Sequence, residues 1–214
     1  DPTSLAISEF YPDPNLGKTA IDRNFQNSRA NNQNRDQFNL RIDVVESSNS
    51  QWFGRYSWTD EPSISEGMYL NGGTRVSRAK QAMVSNTRVL SPTTVNEARF
   101  GYTWMYNEEG QELGCTRNVV QELGLPIPTE PCQSWGIPNV RGMDKYSGIG
   151  NGANGPFVID DQIFQVLDNF SWIKGKHSIR FGGEYRYDVY DQIGNEFARG
   201  VFEFVTRYSG DNYS

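Results

Sequence analysis

The chain has 214 residues, a formal net charge of -6, 36% hydrophobic residues and 13% aromatic ones. That balance excludes a nucleic-acid binder built on a basic stripe, and no run approaches the ~18 apolar residues of a membrane helix. A membrane barrel stays open, because its strands alternate and each carries only a weak hydropathy signal.

The chain starts Asp1-Pro2 and carries no leader pattern, which suggests a mature product or an excised piece. Residues 1–35 are expected to be an irregular segment. Asp13-Pro14-Asn15-Leu16-Gly17 is turn chemistry, Asn24 to Arg35 offers little to bury, and Thr3 to Phe10 suits a short helix. Strand signals begin at Phe38, where Phe38, Leu40, Ile42 and Val44 alternate with Asn39, Arg41 and Asp43. After the polar turn 46–50, Trp52, Gly54, Tyr56 and Trp58 return as a hairpin partner. A longer connection is expected over 60–79, then a poorly alternating strand over Lys80–Leu90 and a turn at Ser91-Pro92-Thr93.

The next strand is stronger: Ala98, Phe100, Tyr102, Trp104 and Tyr106 face one way, Glu97, Arg99, Gly101 and Thr103 the other. The longest connection, 107–159, is rich in Gly and Pro, with one helical turn expected near Val119–Leu123. Asp161–Ile173 reads as a strand. A tight turn at Lys174–His177 leads to the longest clean alternation, with Ile179, Phe181, Tyr185, Tyr187 and Val189 on one face and Arg180, Glu184, Arg186 and Asp188 on the other. Phe202, Phe204 and Tyr208 suggest a further strand.

Residues 36–214 therefore read as about six to seven antiparallel strands with connections that alternate short and long. Tight turns on one rim and long loops on the other are the habit of outer-membrane barrels. Trp52, Trp58, Trp104, Tyr106 and Trp172 near strand ends suit interfacial girdles, although a sandwich core could use the same rings. The expected fold is all-β: an up-and-down meander forming part of a transmembrane β-barrel, with long extracellular loops at 60–79 and 107–159. Six strands do not close a barrel, so further strands are needed beside them. Cys115 and Cys132 lie 17 positions apart in a stretch with little else to order it; a disulfide there would contribute roughly 3 kcal/mol.

Several motifs occur in order along the chain. They are Tyr11-Pro12-Asp13-Pro14-Asn15, Asp36-Gln37-Phe38-Asn39-Leu40-Arg41-Ile42-Asp43, Phe53-Gly54-Arg55-Tyr56-Ser57 and Val95-Asn96-Glu97-Ala98-Arg99-Phe100-Gly101-Tyr102, followed by Leu123-Gly124-Leu125-Pro126, Asp168-Asn169-Phe170-Ser171-Trp172 and Lys174 to Glu184. Together they resemble the barrel of Oar-like TonB-dependent receptors. The resemblance implies an interior barrel segment of a receptor with a plug and a 22-stranded barrel. Its partners would be outer-membrane lipid, the remaining strands and plug, an inner-membrane TonB energy complex and an unidentified ligand, carbohydrate or peptide.

Catalytic chemistry has weak support. The single histidine, His177, sits in a turn, and no nucleophile elbow accompanies it. Adjacent acids such as Glu108/Glu109 and Asp160/Asp161 point to opposite faces on a strand. No zinc-ligand spacing or phosphate cradle is present, and the loop acids Asp144, Asp160 and Asp161 could meet a calcium ion but lack EF-type spacing. No enzyme activity, cofactor, metal or nucleic acid is expected. Recognition would fall to Trp135, Tyr146 and Phe157 in the 107–159 loop, whose rings can stack on a ligand or pack the loop's own core. The alternatives are a soluble secreted β-domain binding carbohydrate or protein and, below it, a hydrolase using loop carboxylates.

Overall fold

A computed structural model describes residues 2–17, 24–67, 69–142, 147–151 and 154–204. A seven-stranded antiparallel sheet runs through it. Its long strands are β2 (Asp36–Ser47), β3 (Ser50–Ser65), β4 (Gly73–Ser91), β5 (Thr94–Gln111), β7 (Asn154–Lys174) and β8 (His177–Glu196). Each pairs with the next in chain order. The two-residue β1 (Asn32–Gln33) extends the line of β2 along β3. Turns at 48–49, 92–93 and 175–176 lie at one end, and Gly175 supplies the positive φ of 60° that a two-residue hairpin loop needs. The connections 66–72 and 112–153 lie at the other end.

The strands run well past their expected ends. The connection expected over 60–79 contracts to 66–72, and that over 107–159 to 112–153. The stretches added to β3 and β4 are largely polar on both faces: Glu61 and Ser63 pair with Ser77 and Arg75, Asp60 with Arg78; the stretch added to β7 has three apolar residues in a row, Phe157, Val158 and Ile159, and so no alternation. A strand wet on both sides has no reason to alternate, so its sequence looks like loop. Pro62 also argued against a strand. Its carbonyl accepts from Asn34 N–H at 3.1 Å, so its ring nitrogen, which has no hydrogen to donate, faces the break between β1 and β2 and not the β4 ladder.

Register gathers most of the strands' aromatic and branched residues on one face, while Phe53, Ile163 and Leu167 fall on the other. One row reads Ile42, Gly54, Val84, Phe100, Val166, Tyr185; the next reads Leu40, Tyr56, Ala82, Tyr102, Phe164, Tyr187. These rings and branched chains are not covered by a second sheet among the described residues. Ile42 is 56% exposed, Val166 50% and Tyr185 67%.

The hydrophobic core lies elsewhere. Ile7, Val119, Ile137, Val140 and Ile149 are buried together at the loop end, with Phe10, Tyr11, Tyr69, Leu113 and Phe202 packed on them. This cap joins α1 (Pro2–Ser8), α2 (Val119–Glu122), a 3-10 turn at Cys132–Ser134, and the strands β6 (Asn139–Arg141) and β9 (Val201–Glu203). The short helix expected over Thr3–Phe10 is present as α1, and it contributes Ile7 to the core. One expectation is corrected here. Phe202 does not begin another wall strand: β9 pairs parallel with β6 inside the cap. Tyr208 lies outside the described residues.

Candidate functional site

The wall carries two chemically distinct faces. On the polar face, arginines pair with acids two residues along the same strand: Arg41 with Asp43 at 2.7 Å, Arg99 with Glu97 at 2.5 Å and Arg186 with Asp188 at 2.8 Å. Gln165 donates across strands to Glu184 at 2.6 Å. Exposed pairs of this kind add little stability. They do keep that face hydrated, as the lumen of a barrel is.

The apolar face has borders marked by tryptophan. Trp52 donates its indole N–H to Glu46 at 2.9 Å, toward the turn end. Trp104 donates to Asp160 at 2.9 Å, toward the loop end. The two polar tips point away from the band between them, the arrangement an interfacial ring adopts with its body in hydrocarbon and its N–H in the headgroups. The band also crosses the residue rows obliquely. Trp52, Asn86, Ala98, Asp168 and Gly183 share one row. On β3 the apolar stretch stops at that row, whereas on β7 and β8 it continues past it to Trp172 and Ile179. Strands tilted against a flat hydrocarbon slab require such a drift. β7 has 21 residues, about twice the 9–11 that span a bilayer, so the wall stands clear of the membrane on the loop side.

The cap is held to this raised rim by polar links. The Cys115–Cys132 disulfide is formed, and Cys115 N–H donates to Cys132 O at 2.8 Å. Asn118 caps α2 by accepting from Gln121 N–H at 3.1 Å. Arg117 grips Glu122 through Nε and Nη2, holding its carboxyl below the usual range, and lies 5.2 Å over the Phe10 ring. Tyr11 donates to Ser147 O at 2.6 Å. Burial of its ring and the neighbouring Tyr69 raise the Tyr11 phenol pKa. Arg199, 2% exposed, donates to Ser134 O and Gly155 O at 3.3 Å each, and desolvation lowers its pKa. Asn151 donates to Gly72 O at 2.9 Å.

The candidate recognition residues fall in three places. Trp135 lies in the cap beside the 3-10 turn, half-buried, its buried indole N–H without a partner among the described residues. Phe157, expected in the loop, is instead a β7 residue in register with Glu109 and Gly194. Tyr146 lies outside the described residues. The structure therefore does not gather Trp135 and Phe157 on one loop. A different aromatic group forms a cleft of about 240 Å³ lined by Phe10, Phe25, Asn27, Arg29 and Tyr69, with Phe25 and Tyr69 ring centroids 5.8 Å apart. Its signal was the phenylalanines Phe10 and Phe25 in a segment with few strand-forming residues. Arg29 there is 3.2 Å from both Glu66 and Glu112.

A family model described as an outer membrane beta barrel domain matches residues 1–214. No curated protein and no solved structure matches the chain.

Proposed function

The chain belongs to the outer membrane beta barrel domain family and sits in the bacterial outer membrane, and from that premise we propose that it is a wall segment of a TonB-dependent receptor. In this reading the cap on the outer rim captures a ligand. The ligand then passes through the lumen past a plug, driven by an inner-membrane energy complex. One observation carries it: the chain builds its hydrophobic core in the loops, on top of a wall raised above the membrane. A simple pore has little use for an ordered outer cap of that size, whereas capture requires a fixed surface. β2 and β8 each leave an outer edge without a partner among the described residues. In hydrocarbon such edges cost several kcal/mol per unpaired group, so further strands of the same receptor cover them. The alternative of a soluble β-domain would need the wall's apolar face covered in water.

The test is the state of the lumen. Cysteine placed at Gln165, on the polar face, should react slowly with a membrane-impermeant thiol reagent in intact cells, because a plug fills the barrel. Rapid labelling, as in an open channel, would refute the receptor reading and leave the barrel intact.

A further inference from the structure

The aromatic cleft at the rim joins four stretches of chain that are distant in sequence. Phe10 and Pro12 follow α1, Phe25 to Arg29 come next, Tyr69 and Leu70 belong to the first long connection, and Glu112 heads the second. Its walls are fixed. Phe10, Tyr69 and Leu70 pack against the buried core of the cap. Leu70 is held at φ 56°, a left-handed conformation that a bulky side chain rarely adopts, and Asn71 Oδ1 accepts from Tyr69 N–H at 3.3 Å. Asn27 Oδ1 accepts from Arg29 N–H at 3.1 Å, and Asn27 Nδ2 donates to Gly67 O at 3.3 Å. Arg29 is locked between Glu66 and Glu112, and Glu112 accepts from Gly72 N–H at 3.1 Å. Phe10, Phe25 and Tyr69 are only half-buried, so their rings stay within reach of a ligand.

Size and chemistry limit the occupant. At about 240 Å³ the cleft is smaller than the ~300–1,000 Å³ that encloses a whole small-molecule ligand, so it takes one group of a larger one. Charge of either sign is opposed, a cation by Arg29 and an anion by Glu66 and Glu112. Most of the lining is carbon, from Phe10, Pro12, Phe25, Tyr69 and Leu70. With Asn27 engaged, the Arg29 guanidinium and the Tyr69 hydroxyl are the polar groups left to a ligand. A sugar ring would bring several hydroxyls and leave most of them desolvated without partners. A neutral aromatic side chain brings at most one. The Phe25 and Tyr69 rings, inclined at 32° to each other, offer it the tilted contacts that ring pairs prefer.

We propose that this cleft receives an aromatic side chain of a peptide ligand, so that a polypeptide is captured by an exposed ring. The assignment rests on the capture role proposed for the cap. The test is saturation-transfer NMR of the intact detergent-solubilised receptor with acetyl-Gly-Phe-Gly-amide and acetyl-Gly-Ala-Gly-amide, each measured against protein-free micelles. The phenylalanine peptide should bind saturably and the alanine peptide should not. Phe25→Ser should weaken the phenylalanine peptide about fivefold, the order of one ring–ring contact. Pro12→Trp, which fills the cleft, should abolish binding and serves should the serine variant not assemble. Methyl glucoside should not compete. Binding of neither peptide, equal binding of both, full binding in the altered clefts, or competition by methyl glucoside would each overturn the site. Failure of the receptor reading would show separately, as rapid labelling of the cysteine at Gln165 with the peptide measurement unchanged.

Discussion

In the wall, Val166 is 50% exposed and Tyr185 67%; in the cap, Val119, Val120 and Ile137 are at 0%. The two regions use the same kinds of side chain under opposite conditions. The cap meets water, so it must bury its apolar groups among themselves, and it recruits α1, both long connections and the segment after β8 to do so. The wall has hydrocarbon as its solvent, so its rings need no protein partner, and its stability rests on the hydrogen-bonded ladder. Ladder bonds are the long-range contacts of the wall, and packing plus a cross-link are those of the cap.

That contrast can be broken from either side. The largest effect is expected at the middle of the apolar band, where Val166→Arg should cost about 2–4 kcal/mol in reversible folding into lipid vesicles. Gln165→Arg, one residue away on the polar face, should cost almost nothing. Equal costs would mean that the faces are not different. Next, replacing Cys115 and Cys132 by serine should remove roughly 3 kcal/mol from the cap alone. Limited proteolysis should then cut within 112–153 while the strands stay protected. Arg199→Met should loosen the junction of Ser134 and Gly155 by about 1–3 kcal/mol, read as faster amide exchange in β6 and β9. Exchange spreading to β7 and β8 would show cap and wall to be one cooperative unit. The smallest effect concerns pH. The Glu122 carboxyl is depressed by its hydrogen bonds to Arg117. Its contribution to α2 is therefore complete above the ordinary value of 4.5 and lost as pH falls through the folded value. Protection factors at Leu123 and Gly124, taken relative to the intrinsic exchange rate at each pH, should fall in acid.

The legibility of the sequence followed the same division. Most membrane-height strands were readable because one face meets lipid and the other water, so Phe100, Tyr102 and Trp104 alternate with Arg99, Gly101 and Thr103; β4 was the exception, its outward row broken by Lys80, Asn86 and Arg88. The pairing order, the two-sidedness and the Cys115–Cys132 bond all followed from local pattern. Above the membrane both faces are wet, the alternation fades, and Asp60–Ser65 and Gly73–Ala79 looked like loop. The cap was least legible. Its core is assembled from Ile7, Val119, Val140 and Ile149, residues too far apart in sequence for any periodicity to connect them. Arg199 gave no signal at all, since a lone arginine beside a glycine in a turn is ordinary until two distant carbonyls are brought to it.

The direct measurement is tryptophan quenching by brominated lipid in a reconstituted Trp-free background, with single tryptophans returned at Trp104, Val166 and Tyr185 and, on the opposite face, at Gln165 and Glu184. The first three should be quenched strongly and the last two hardly at all. Equal quenching of both sets, or quenching of the Gln165 and Glu184 positions alone, would contradict the assignment of the apolar face to lipid.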